Sequence, residues 1–459
     1  MPSFACSRSI AGCAVPATAT TMYLSRTGTS NQQFTRPEDF DAEEPERAET
    51  EAIAGRKEVG ALEGLTKLIG LLDASSSQVI CGAANALFNL TLSCENADAL
   101  LPLGALSKLT ALLNHEDAAV QAAVVGVLMN TCATSGVCRS ELALSGLLTA
   151  LLALIVGVGS KPEGDEAEVR KNALGALNNL MLDAAAAKSL RPENGIDILT
   201  NLLRVEGHGE ARLEDAASSL LRALQEDEKA GEELVEVGGM PVLVATVSSP
   251  NEELQVRVCG LIFESCEQVP SARQTLHELK VVAAVLPLIS SSAEEVQEAA
   301  ARAIEKLSRM PACAVAVRRN EGITALIDLM TSLDEGVQLA AISALCNVAH
   351  SDPKAAAAIR DADGLKPLVA FLGSANTKIQ VASASTILGC SRNESNKTVL
   401  RELGAIEALL KMTPFSNPRD AQAAAVATLA YLTLNEDEAR VLLRLQGGLK
   451  KLHALLYAK

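Results

Sequence analysis

Apolar residues along most of this chain fall three and four apart, the spacing of an amphipathic helix rather than the alternation of a strand. One phrase of this kind keeps returning. A small or acidic residue, often Gly, precedes an apolar helix that ends in Leu-Leu or a similar pair. It reads EVGALEGLTKLIGLL at 58–72, LGALSKLTALL at 103–113, SGLLTALLAL at 145–154, NGIDILTNLL at 194–203 and GGMPVLVATV at 238–247. It continues as LKVVAAVLPLI at 279–289, EGITALIDLM at 321–330, DGLKPLVAFL at 363–372, LGAIEALLKM at 403–412 and GGLKKLHALL at 447–456. One apolar position marks the register: Leu65, Leu109, Leu151, Leu199, Leu243, Val285, Leu326, Leu368, Leu409 and Leu452. The steps between them are 44, 42, 48, 44, 42, 41, 42, 41 and 43 residues.

A second phrase follows each first one: Val or Leu, then Gln or a charge, then an Ala-rich helix. Examples are VQAAVVGVLMNTC at 120–132, VRKNALGALNNL at 169–180, VQLAAISALCNVA at 337–349 and IQVASASTILGCS at 379–391. A shorter amphipathic helix comes next, such as NKTVLRELG at 396–404, closing at Gly. Each repeat therefore predicts three helices. Gly at the first corner permits positive φ. Ser, Pro and Asn gather at the second corner, as in SSPNEE at 248–253. No single repeat can bury its apolar face, so stacking must supply one continuous core.

Composition fits that plan. Hydrophobic residues make up 48% of the 459 residues, yet aromatics are only 2%, with no Trp, 3 Tyr and 7 Phe. A core this poor in rings is built from Ala, Leu and Val, which favours closely packed helices over sandwiches or barrels. The formal net charge of −16 repels phosphate, and stacking platforms for single-stranded nucleic acid need rings. The 11 Cys are scattered, and neither Cys132/Cys138 nor Cys259/Cys266 has the spacing of a zinc knuckle. They read as small buried apolar residues in a reducing compartment.

The termini and loops add little chemistry. Residues 1–37 hold Arg8, Arg26 and Arg36, no Asp or Glu, and 11 Ser/Thr. That composition suits either a disordered tail or an organelle transit peptide, although no clear amphipathic arginine face is present. Residues 38–58 carry nine acids, from Glu38 to Glu58, against Arg47, Arg56 and Lys57, and read as a solvated linker entering a first helix. The expected organisation is a tail over 1–45 and a repeat array over 46–459. The most apolar run, Leu147 to Val156, is 10 residues and is interrupted by Thr149, short of the ~20 a membrane span needs. The loop GVGSKPEGDEAE at 157–168 has Ser160 before Lys161, where a phosphate-binding loop needs Gly. No GxSxG, HExxH or glycine-rich dinucleotide motif occurs. His115, His208, His277, His350 and His453 show no ligand spacing to Cys or carboxylates. The expectation is no enzyme, no cofactor and no metal.

Repeat length, Gly corner and third-helix phrase together resemble the armadillo repeat family over about residues 46–459. The two-helix HEAT repeat is the nearest rival, and the separate short helix and the Gly-Gly corners at 238–239 and 447–448 favour armadillo. Lys280 and Val281 replace the corner of the sixth repeat, and the third is longer through its 157–168 loop. The resemblance implies an all-α, right-handed α-solenoid of about nine repeats plus a terminal half-repeat. It also implies a concave face lined by the third helices, with Asn near the end of each. The positions here are Asn89, Asn130, Asn179, Ala223, Glu264, Lys306, Asn347, Gly389 and Tyr431. One amide offers a donor and an acceptor, so a ladder of Asn could hold an extended peptide by its backbone. The same Asn could instead serve a structural hydrogen bond.

Four residues earlier lie Asn85, Gly126, Gly175, Ser219, Gly260, Arg302, Ser343, Ser385 and Ala427. In importin-α-like members this place is often Trp. None is Trp here, and the tail lacks an arginine-rich segment, which disfavours import of basic signals. Arg302 and Lys306 form a basic pair beside Glu264, either solvated or an anchor for an acidic stretch of a partner. The functional expectation is a non-catalytic scaffold or adaptor that takes an extended or helical segment of a partner protein in its groove. Asn85, Asn89, Asn130, Asn179, Glu264, Arg302, Lys306, Asn347 and Tyr431 would be its contact residues. The alternative is a transport or chaperone-regulating factor using the same groove. The expected location is the cytoplasm, also the nucleus, or an organelle if residues 1–37 are a transit peptide.

Overall fold

The computed structural model describes residues 62–157, 163–204, 213–414, 417–434 and 436–450. The chain partitions into Met1–Ala52 and Ile53–Lys459, and every described residue belongs to the second part. The expected tail, the 45/46 boundary, residues 158–162 of the long loop, His208 and His453 lie outside the described residues.

Among the described residues the secondary structure is entirely helical. The first repeat contributes its second and third helices, Leu62–Leu71 and Ser77–Leu90. Eight complete triplets follow, and the last described helix, Asp437–Leu445, opens the terminal half-repeat. The third helices are the longest, for example Ala118–Thr134, Glu252–Gln268 and Glu335–Ser351. Each packs along the third helix of the next repeat, so they form one uninterrupted layer. The architecture is the expected all-α solenoid.

The register residues explain why the repeats stack. Leu65, Leu109, Leu151, Leu199, Val285, Leu326, Leu368 and Leu409 are completely buried, and Leu243 nearly so. Each contributes about 1.5–3 kcal/mol of burial. They join a single cluster with third-helix alanines such as Ala84, Ala173, Ala217, Ala301 and Ala341. A methyl at these sites lets neighbouring backbones approach, which is why so few rings are required.

The second-phrase Gln has a local role. Gln255, Gln297, Gln338 and Gln380 each donate from Nε2 to the carbonyl of Ser249, Ser291, Ser332 and Ser374, at 2.6–2.7 Å. Asn251, Asp334 and Asn376 cap three of these helices by accepting a backbone N–H, as Asp117 caps Ala118–Thr134, while Glu294–Leu307 has Ala293 there and no side-chain cap. The second corner is thus tied from both sides.

The first corner differs in part from expectation. Gly104, Gly146, Gly238, Gly404 and Gly447 hold positive φ, from 65° to 81°. In repeats 4, 6, 7 and 8 that place is taken by Asn194, Lys280, Glu321 and Asp363, at φ 58–61°. The Gly of the NGI, EGI and DGL phrases is therefore not the left-handed residue. A Cβ on Gly322 would lie 2.9 Å from the Val317 carbonyl oxygen, so this Gly serves close backbone approach instead.

Candidate functional site: the third-helix layer

The predicted ladder residues do share one layer, but several are already engaged. Asn130 Nδ2 donates to the Phe88 carbonyl at 2.9 Å, Asn179 to Met129 at 3.0 Å and Asn347 to Glu305 at 2.9 Å. Each acceptor lies one residue before the ladder position of the preceding repeat. Phe88 and Glu305 stand in the last turns of Ser77–Leu90 and Glu294–Leu307, where helical carbonyls run out of intrahelical donors. These Asn residues therefore bridge repeats, two of them by capping the neighbouring helix. Thr428 does similar work higher in its helix, donating to Ala384 at 2.9 Å. The second N–H and the oxygen of the Asn130, Asn179 and Asn347 amides have no partner among the described residues.

Asn85 and Asn89 are exposed in the first described third helix, with no hydrogen bond among the described residues. Ala223 and Gly389 are buried and interrupt the ladder. A Cβ on Gly389 would meet Ala349 Cβ and His350 Nδ1 at 3.0 Å. Tyr431 is 43% exposed in Arg419–Leu432.

The basic pair is organised by two residues that sequence reasoning missed. Lys306 Nζ lies 2.7 Å from Glu267, not Glu264, and Arg309 approaches the same carboxylate at 3.2 Å. The Lys306 hydrogen bond holds the Glu267 carboxyl below its usual pKa, against the opposing effect of burial. Both cations also sit over the Phe263 ring, Arg302 at 4.9 Å and Lys306 at 4.6 Å from its centroid. Glu264 instead accepts a long 3.4 Å bond from Gln225. Phe263 and Glu267 lie one residue before and three after Glu264. Helix geometry puts both on the exposed layer, yet neither falls at the ladder position or four residues before it.

Six thiols are held protonated by their surroundings, while Cys94 is exposed. Burial pushes Cys132, Cys259, Cys266 and Cys390 up to about 12, and Cys313 and Cys346 up to about 11. Among the described residues no cluster of His, Cys, Asp and Glu could hold a metal ion. No single described helix is long and apolar enough to cross a membrane.

A family model for the armadillo/beta-catenin-like repeat matches residues 310–350. That span is one full triplet: Pro311–Arg319, Gly322–Leu329 and Glu335–Ser351. The same triplet recurs through the array. Over residues 310–350 the chain thus carries an armadillo repeat, and the triplets around it resemble that one. The chain is 32% identical over 112 residues to the armadillo repeat-containing protein 3 of Homo sapiens, an alignment covering 24% of this chain and 13% of the human protein. It therefore spans only a small part of that relative's length. The crystal structure of an engineered protein superposes with a TM-score of 0.78 at 25% identity, over 86% of this chain and 95% of the other. A second engineered protein covers 52% of this chain at 26% identity, with a TM-score of 0.49 over 96% of its own length.

Proposed function

We propose that this armadillo-repeat protein is a non-catalytic scaffold that holds an extended or helical segment of a partner protein against its third helices. The observation that carries this reading is the set of amides in that layer. Asn130, Asn179 and Asn347 spend one N–H on the neighbouring repeat. Each keeps a donor and an acceptor that a partner backbone can use. Asn85 and Asn89 keep all of theirs. Arg302, Lys306, Glu264 and Tyr431 then adjust which side chains are tolerated.

The test is proximity labelling in the native cell, with wild type compared against Asn89→Ala and Ser385→Trp. Asn89→Ala removes amide contacts without touching an inter-repeat bond. Ser385→Trp places a bulky ring on the half-buried floor of repeat 8. Loss of one partner set in both variants, with unchanged circular dichroism, supports the groove. Retention of every partner by Ser385→Trp removes it. Stable partners favour a scaffold, whereas partners that exchange with a nucleotide or cargo cycle favour a transport or chaperone-regulating factor. Sequencing the mature N-terminus separates the cytoplasmic reading from an organellar one.

A further inference from the structure

The third helices of repeats 4 and 5, Leu213–Glu226 and Glu252–Gln268, lie side by side. Arg222 stands one residue before ladder position Ala223. One repeat earlier the equivalent place is Asn178, whose Nδ2 donates to the Asp215 carboxylate at 2.8 Å. Asp215 stands eight residues before the ladder position of its own helix. The matching place in repeat 5 is Val256, followed by Arg257. Where the preceding interface supplies a carboxylate, this one supplies an aliphatic side chain and a second cation.

The consequence is visible in the hydrogen bonding. Arg222 is half-buried, its Nε is sealed from solvent, and it has no hydrogen-bond or ion partner among the described residues. The Arg257 Nε is sealed and unpaired as well, and its guanidinium reaches a carboxylate only at 3.5 Å, Glu253 on its own helix. Burial foremost, then the Arg257 charge, push the Arg222 pKa down, the response of a cation short of counter-charge. Lys306, two helices along from Arg222, is by contrast fully served by Glu267 and Phe263. The floor beside Arg222 is low, because Gly260 has no side chain. A Cβ there would meet Leu221 Cδ2 at 3.0 Å.

A desolvated guanidinium facing another cation is costly unless something supplies the missing charge. We infer that Arg222 and Arg257 form a receiving site for an Asp or Glu side chain of an acidic, extended segment of a partner protein. This rests on the groove reading above and names the chemistry that would anchor the segment. The guanidinium fork matches a carboxylate. A singly charged carboxylate is also the milder anion for a chain with a formal net charge of −16. A dianionic phosphate would be repelled by the same field.

The probe is a fluorescein-labelled 12-residue peptide of alternating Ser and Glu, with a Ser/Gln peptide as control, titrated with the full chain by anisotropy at low salt. The Ser/Glu peptide binds despite the acidic protein, and Arg222→Gln/Arg257→Gln weakens it tenfold or more. The Ser/Gln peptide binds wild type and double variant alike. The double variant melts no lower than wild type, because Arg222 has no bond to lose and Arg257 gives up only its long, exposed pair with Glu253. Equal binding of the Ser/Glu peptide by wild type and double variant, or no binding by either, overturns the site. So does inorganic phosphate displacing the peptide at lower concentration than acetate. If the arginines prove indifferent while Ser385→Trp still evicts the labelled partners, the arginine site alone falls. If Ser385→Trp evicts nothing, the groove itself falls.

Discussion

Replacing Asn347 by Ala separates the two roles that an Asn ladder can have. In the folded chain Asn347 Nδ2 donates to the Glu305 carbonyl at 2.9 Å across the interface of repeats 6 and 7. Glu305 lies two residues from the end of Glu294–Leu307, and the Arg309 N–H that would close its helical bond points to Lys306 instead, at 3.4 Å. Losing the amide therefore removes one neutral bond, about 1 kcal/mol, and leaves a partly enclosed carbonyl short of a donor, about 1–3 kcal/mol when fully buried. Ala regains about 0.6 kcal/mol of helix propensity. The net expectation is a loss of about 1–2 kcal/mol. Asn89→Ala, at an exposed site with no bond, stays within about 0.5 kcal/mol. Urea unfolding with m-values reads the totals. Amide exchange should show faster opening around repeats 6 and 7 in Asn347→Ala, because repeat stability is the sum of neighbour terms. Asn347→Asp, which keeps the shape but removes the donor, should be no better than Ala. If Asn347→Ala costs no more than Asn89→Ala, the inter-repeat bond contributes nothing and the amide is wholly available for ligand. A cost confined to Asn347→Ala also means that multiple Asn→Ala variants report on stability as well as binding.

Four further outcomes follow from the same geometry. Gly389→Ala should cost about 1–3 kcal/mol in urea unfolding, since its Cβ would press on the fixed Ala349 methyl and on His350. Gly82→Ala, with nothing within 4 Å in Ser77–Leu90, should instead gain about 0.5–1 kcal/mol. Burial foremost lowers the His350 pKa, with the Arg392 charge adding to it against the hydrogen bond to Cys346. The folded state thus favours neutral imidazole, so its contribution is complete above about pH 6.5 and is lost as pH falls through the lower folded value. His350→Gln should flatten that part of a stability–pH profile, and an unchanged slope would refute the assignment. A double-mutant cycle of Glu267→Gln and Lys306→Met should give a coupling of about 0.5–1 kcal/mol that shrinks in 1 M salt, because the carboxylate is 47% exposed.

The repeat was legible because stacking imposes a period. Every repeat must bury the same face against its neighbours, so Leu65 through Leu409 recur at nearly constant spacing and all prove buried. The Gln of the second phrase was visible too, although its bond to the corner carbonyl was not. Partnerships across repeats were harder. The sequence shows Asn130, Asn179 and Asn347 in equivalent places, but two roles for an amide leave the same letters. Only the packing shows that one N–H goes to the neighbouring helix. Lys306 was paired by proximity with Glu264, while the tilt of side chains toward the helix N-terminus brings it to Glu267 and Phe263. Glu321 and Asp363, the acids that open their phrases, hold the left-handed corner that Gly was expected to fill.

The sequence by itself thus determined the helical period, the three-helix unit, the number of units and an aliphatic core, since all of these follow from local periodicity and composition. The tertiary structure decided which polar groups face one another from adjacent helices. Those contacts join residues about forty positions apart in the chain, and they depend on the rotation of each third helix against the next. Arg222 illustrates the difference. In the chain it is one arginine among many. Only the pairing of its helix with Val256 and Arg257 leaves it without a counter-charge.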